Sequence, residues 1–368
     1  MTGIERVSDR IAAFRADEAK ALAEHRAQGG AVVATFCRVF PLELCAAAGS
    51  WPVRLVSGAS IAAEAAGERS VRADACPYCK ALLGNFLTRA PLFEQVSAVI
   101  GLSTCDMMRR TLERLQSDAH VPVLPLQYPA TYTPRAEAFF VDQVERVVAD
   151  LLLHLNTDFR LDVLAEYAET RAACAALLKS FAETGDGSPT IVHELMHLFS
   201  VARPKALLPF LRDILGELPA AKPRAKVVLI GGPVCAEDSA VFEVLEAHQI
   251  GVVPLTCTGL NAIETRFDPI GGSWREVVRH IAKSAFHGPA CIRQRPNTRV
   301  YERLSHALTT PGVRGVILKS LKFCDLWHAE KERMRAAVGL PFLALDAGFS
   351  AAERERVQSR LEAFVEVL

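Results

Sequence analysis

The sequence predicts an α/β protein with two doubly wound, flavodoxin-like parallel-sheet domains and a helical insertion between them. Three observations carry this expectation. Short apolar, β-branched runs alternate with helical stretches in two separate blocks, the pattern of βαβ units. A long block with no strand pattern divides them. And 368 residues exceed what one ordinary core accommodates, which points to two or three domains.

Taken in order, Ala31–Phe36 is a β-rich run after the Gly29–Gly30 breaker, and a helix follows from Pro41 to about Ala48, stopping at Gly49. Strands over Val53–Val56, Ala98–Gly101 and Val121–Leu126 complete a first domain, residues 1–135. Residues 136–219 form a helical segment, because the pattern from Pro134 to Gly216 holds no convincing strand. After the Pro219–Pro223 linker, Lys226–Ile230 runs into the turn Gly231-Gly232-Pro233. Further strands at Gly251–Pro254, Val313–Lys319 and Pro341–Leu345, closed by a helix over Ala351–Val367, make the second domain, residues 220–368. No sequence repeat is visible, although the two halves are compatible with one shared fold.

Composition narrows the function classes. Half the residues are hydrophobic, so a well-buried globular protein is expected. Lys+Arg and Asp+Glu both number 42, which leaves no net field to attract nucleic acid or an anionic membrane. Met1 to Arg15 mixes Glu5, Asp9 and Arg10 into an amphipathic pattern unlike a secretory signal, and no apolar run is long enough to span a bilayer. A cytoplasmic protein is the expectation.

The ten cysteines are then the informative feature, since a reducing cytosol disfavours disulfides. In an open parallel sheet, ligands gather beyond the carboxyl ends of the strands. Cys37, Cys105, Cys257 and Cys324 each follow a predicted strand, Cys235 lies just past another, and Cys76 and Cys291 sit in proline-marked loops. Converging soft thiolates suit iron–sulfur or zinc. Cys76-Pro77-Tyr78-Cys79 is a lone CxxC, without the second pair of a zinc ribbon. Cys45 and Cys174 sit on helical patterns and are assigned to packing; Cys79 and Cys235 stay open, with packing favoured.

Several segments together resemble the 2-hydroxyacyl-CoA dehydratase and benzoyl-CoA reductase superfamily. They are Phe36-Cys37-Arg38-Val39-Phe40-Pro41-Leu42-Glu43 with Ala47-Ala48-Gly49, Ala75-Cys76-Pro77-Tyr78-Cys79-Lys80 ending at Gly84, Ser103-Thr104-Cys105-Asp106 with Arg109-Arg110, Lys322-Phe323-Cys324-Asp325, and the closing Gly339-Leu340-Pro341 to Phe364 region. The resemblance implies that Cys76, Cys105 and Cys324 are ligands of a 4Fe–4S cluster. It implies a homodimer or a heterodimer with a homologous subunit, working anaerobically and reduced by a separate ATP-hydrolysing iron–sulfur activator. Cysteines at Cys37, Cys257 and Cys291 as well make the chain most similar to the double-cubane branch, where six thiolates hold two cubanes joined by sulfide (8Fe–9S). Such a protein delivers very low-potential electrons to a small molecule. In the acyl-CoA branch, a single cluster instead drives dehydration or ring reduction of an acyl-CoA through a ketyl radical. The basic flank Arg293-Gln294-Arg295 makes Cys291 the least typical of the six. No catalytic side chain is assigned, and the sequence lacks the glycine-rich phosphate loop of an ATPase, which fits a separate activator.

Other patterns are set against these. His193-Glu194-Leu195-Met196-His197 spells HExxH with Glu217 downstream, the layout of a zinc peptidase. Five residues with two free positions carry little information, and accident is the preferred reading. Gly231-Gly232 reads as a turn. Arg293, Arg295 and Arg299 form a basic cluster suited to CoA phosphates or to a solvated loop, and Asp325 and His328 lie close to Cys324 in sequence.

Overall fold

The computed structural model describes residues 3–218, 222–263 and 271–368. The first half runs α1 (Gly3–Ala27), β1 (Val32–Thr35), α2 (Leu42–Ala47), β2 (Trp51–Arg54), α3 (Ile61–Glu68), α4 (Pro77–Leu87), α5 (Pro91–Glu94), β3 (Ala98–Ser103), α6 (Asp106–Asp118) and β4 (Val123–Gln127). Helices α7 (Pro134–Leu155), α8 (Leu161–Ala182), α9 (Pro189–Val201) and α10 (Pro204–Glu217) follow. The second half runs β5 (Ala225–Gly231), α11 (Ala240–Ala247), β6 (Ile250–Thr256), α12 (Leu260–Ile263), α13 (Trp274–His287), α14 (Thr298–Leu308), β7 (Val313–Leu321), α15 (Asp325–His328), α16 (Lys331–Val338), β8 (Phe342–Ala347) and α17 (Ala351–Val365). Most of the anticipated linker, Pro219 to Ala221, lies outside the described residues.

Two separate parallel sheets form, ordered β2-β1-β3-β4 and β6-β5-β7-β8. They have the same topology, so the halves share a fold although their sequences show no repeat. This is the doubly wound, flavodoxin-like α/β class expected from the alternating pattern. Each central strand is apolar in its middle, as suits a strand covered on both faces: Val32–Ala34 and Val227–Ile230 are buried. Three strands contain proline, and each is an edge strand where a missing N–H costs no ladder bond: Pro52 in β2, Pro125 in β4 and Pro254 in β6.

The helices cover both faces of each sheet. One core packs α7 and α13 against β1, β3 and β4, through Val144, Val148, Val278, Ile281 and Phe286. A second packs α1, α8, α9 and α10 with β5, β6 and β7, through Ile11, Leu178, Leu195, Leu211 and Val228. Helix α1 thus leads the chain yet docks on α9 and α10, and α13 comes from the second half yet completes the first sheet's core. In each sheet the strand order reverses at one place, between β1 and β3 and between β5 and β7. The crevice beyond the carboxyl ends of such strands is where ligands bind in open α/β sheets.

These two crevices face each other. Ala236 N donates to Val56 O at 3.2 Å, and Glu237 accepts from Gly58 N and Ala59 N at 2.7 and 3.1 Å. Arg293 donates to Tyr128 O and Thr104 O at 3.0 and 2.8 Å, and Arg295 N donates to Ala130 O at 2.7 Å. The loops that would bind a ligand are the loops that join the halves.

Candidate functional site

Accessibility divides the ten cysteines. Cys45, Cys79, Cys174 and Cys235 are buried, whereas Cys37, Cys76, Cys105, Cys257, Cys291 and Cys324 are all partly accessible. The six are those named as ligand candidates from the sequence. They sit deep all the same, because burial is the chief influence raising the thiols of Cys37, Cys105, Cys291 and Cys324. Partial access together with surrounding protein describes sulfurs that line a cleft.

Local structure places each sulfur. Cys76, Cys105 and Cys324 are the N-cap residues of α4, α6 and the short α15. Free N–H groups at a helix start favour negative charge, and thiolates gain from it. Met108 N donates to the Cys105 Sγ at 3.3 Å. Pro77 at N1 pre-sets the first turn of α4 without wasting a donor. Cys37 follows β1, Cys257 follows β6 with its N–H directed at Gly232 O, 3.4 Å away, and Cys291 lies in the turn between α13 and α14.

Mutual electrostatics sorts the six into two neighbourhoods. Cys105 responds to Cys76, and Cys324 responds to Cys76 and Cys105. Cys37 responds to Cys257, and Cys291 to Cys37 and Cys257. Cys257 also acts on Cys324, so the neighbourhoods adjoin. Burial lifts the Cys291 and Cys324 thiols to about 12. Cys76 alone goes the other way: Cys79 donates its S–H to the Cys76 sulfur, and the α4 N–H groups assist, so the Cys76 thiol falls and that of Cys79 rises.

The surroundings hold buried groups with unspent hydrogen-bonding capacity. Arg54 donates from Nη2 to Cys257 O at 2.6 Å, and its buried Nε has no partner. Arg38 donates to Asn261 O and Ala290 O, both at 2.5 Å. The Tyr128 hydroxyl and both side-chain atoms of Gln294 are buried and unpartnered. Among the described residues no three His, Cys, Asp or Glu side chains come close enough to share one ion. Thiolates that each bind a different iron stand further apart than the ligands of one ion, so this spacing leaves a multi-iron group open.

Three other sequence patterns find their place in the structure. His193 Nε2 lies 3.1 Å from Ala236 O and its ring stacks on Phe242 at 4.2 Å, while Glu217 pairs with Arg10 at 2.7 Å. HExxH therefore clamps the loop after β5 and lacks its third donor. The basic cluster is spent internally: Arg295 pairs with Glu330 at 2.5 Å, Arg299 donates to Gly288 O at 2.7 Å, and Arg293 holds two carbonyls. Asp325 and His328 sit on the exposed side of their turn. What sequence reasoning missed is the buried set of Arg38, Arg54, Tyr128 and Gln294. Arg38 adjoins Cys37, a visible signal, but Arg54 at the end of a strand reads only as an interrupting charge.

Comparison with known proteins identifies the family. The family model described as 2-hydroxyglutaryl-CoA dehydratase, D-component, matches residues 37–368. Over 388 aligned residues the chain is 23% identical to YjiM of Escherichia coli (strain K12), a curated protein provisionally named a dehydratase subunit, covering 100% of this chain and 99% of that one. The chain belongs to the 2-hydroxyglutaryl-CoA dehydratase D-component family.

Proposed function

We propose that this chain is an iron–sulfur reductase subunit in which Cys76, Cys105 and Cys324 hold one 4Fe–4S cubane and Cys37, Cys257 and Cys291 hold a second. The observation that carries this reading is that six of the ten cysteines are partly accessible, and that they lie in two adjoining groups of three. Four of the six, Cys37, Cys105, Cys257 and Cys324, stand just past strands at the facing sheet ends. The donor set also fits the group. Soft sulfur ligands suit iron, and buried N–H and O–H donors without partners suit inorganic sulfide as their acceptor.

Once bound, such a group would supply one-electron chemistry at very low potential. The chain's own residues do the rest. Helix starts at Cys76 and Cys105 favour the thiolate form. Arg54 and Arg38 fix the Cys257 and Ala290–Cys291 backbones through their carbonyls. The paired crevices keep bulk water away from the sulfurs. On this reading electrons come from a separate ATP-hydrolysing activator, and the assembly is a dimer of two copies or of homologues.

The family description favours a second reading, a 2-hydroxyacyl-CoA dehydratase subunit with a single cubane on Cys76, Cys105 and Cys324. Beside Cys105, Ser103, Arg109, Gln127, Phe139 and Arg293 line a recess of about 290 Å³, room for part of an acyl-CoA. The deciding experiment counts iron and zinc in the chain purified without oxygen. It then supplies titanium(III) citrate and 2-hydroxyglutaryl-CoA together with a family activator and ATP. About eight irons and no enoyl-CoA support the reductase. About four irons with enoyl-CoA formation support the dehydratase. One zinc and no iron would contradict both.

A further inference from the structure

The two thiol neighbourhoods differ in where their charges lie. Near Cys105 and Cys324 several side chains face solvent: Asp106 is fully exposed, Arg109 is 47% exposed and Phe323 is 50% exposed, while the buried cation near Cys76, Lys80, is already paired with Glu64 and Glu68. Beside Cys37, Cys257 and Cys291 the charges are deep. Arg54 and Arg38 are 4% and 8% exposed. Each donates to backbone carbonyls of the Cys257 or Cys291 segments, and no described carboxylate pairs with either. An uncompensated buried cation costs several kcal/mol, so this chamber is built to meet negative charge. The Tyr128 hydroxyl, 1% exposed and in the core against which Cys37 and Cys291 pack, has no partner, and Arg54 Nε has none.

We propose that Arg38, Arg54 and Tyr128 are the counter-charges and hydrogen-bond donors of the group held by Cys37, Cys257 and Cys291, so that an electron entering at the surface neighbourhood comes to rest on the deep one. The inference rests on the reading that those three cysteines are ligands. Adding one electron adds one negative charge and breaks no bond. A buried guanidinium and an O–H directed at sulfur stabilise the reduced form more than the oxidised form, which raises the potential. In a low-dielectric chamber this effect exceeds that of an exposed, screened Arg109. The gradient runs inward from the surface where an external one-electron donor has access.

The test is a reductive titration of the full chain, purified without oxygen, with titanium(III) citrate as electron source and EPR as readout. Iron is counted in every sample. Arg54→Gln and Tyr128→Phe should keep wild-type iron and become harder to reduce. For Arg54→Gln the ratio of reduced to oxidised form at fixed potential should fall at least tenfold, a shift of about 59 mV for one electron. Tyr128→Phe should move in the same direction by less, and Arg109→Gln should not move. Unchanged potentials in both variants at full iron content overturn the proposal. If Arg54→Gln loses iron, Tyr128→Phe decides alone, since it removes one oxygen from a ring that still fills its place. A wild-type chain with only about four irons would sink the underlying reading instead, and the iron count separates the two failures.

Discussion

Cys76 and Cys79 show how much depends on where one sulfur points. Both lie in the same CxxC, yet Cys76 caps α4 and is partly accessible, while Cys79 is buried one turn on and spends its S–H on Cys76. Cys79→Ala should therefore leave iron content unchanged and, in iron-free protein, slow alkylation of Cys76 at neutral pH, because the donor that holds its thiol down is gone. Equal alkylation rates in the variant and the parent would show that the helix start alone sets the Cys76 thiol. Cys235 marks the limit of strand-end reasoning. It follows β5 as Cys37 follows β1, but it is fully buried in the core of the first half. Position after a strand is legible in the sequence; the direction of the side chain is not.

Helix α4 is placed by glycine. A Cβ on Gly84 would stand 1.8 Å from Ala63 O, and one on Gly67 would stand 1.9 Å from Lys80 O, so α3 and α4 cross backbone to backbone. Buried Lys80 then ties α4 to Glu64 and Glu68 of α3, at 3.0 and 2.9 Å. Gly84→Ala should force the helices apart at a cost of about 1–3 kcal/mol, read as a lower thermal midpoint, with some iron lost because Cys76 moves with α4. An unchanged midpoint would mean that the crossing relaxes freely. Helix α9 supplies a pH dependence. Burial holds His193 neutral, its pKa lowered to about 4, and holds His197 well below its ordinary value. An unfolded chain protonates both near 6.5. The unfolded state thus binds more protons, so stability is complete above about 6.5 and falls as pH drops toward 4. For His193 alone the loss approaches about 3 kcal/mol. Denaturant midpoints at pH 7 and pH 5 measure it, and His193→Gln should flatten the slope. A parent protein equally stable at both pH values would contradict the burial of this pair.

At the scale of the whole molecule, the alternation of apolar runs and helical stretches made the two parallel sheets legible almost strand for strand. The expected strand Val313–Lys319 is β7 (Val313–Leu321), and the expected Lys226–Ile230 is β5 (Ala225–Gly231). Apolar-run signals survive because the inner strands β1 and β5 are buried on both faces. What stayed hidden depends on contacts distant in sequence. The pattern of α1 reveals an apolar face but not that it docks on α9 and α10, and nothing in the pattern of α13 reveals that it completes the first sheet's core. The opposition of the two crevices, and the buried arginines between them, arise only when both halves fold. On the proposed function, the same opposition brings the two cysteine groups together as one site.

The central claim is that these six form two ligand sets of three. It is tested most directly by counting iron in two triple variants, Cys37→Ser/Cys257→Ser/Cys291→Ser and Cys76→Ser/Cys105→Ser/Cys324→Ser, each purified without oxygen beside the parent. The account predicts that the first triple keeps about half the parent's iron and a 4Fe–4S EPR signal, and that the second loses its own half. A first triple that retains all of the parent's iron would contradict the account, because Cys37, Cys257 and Cys291 would then hold none.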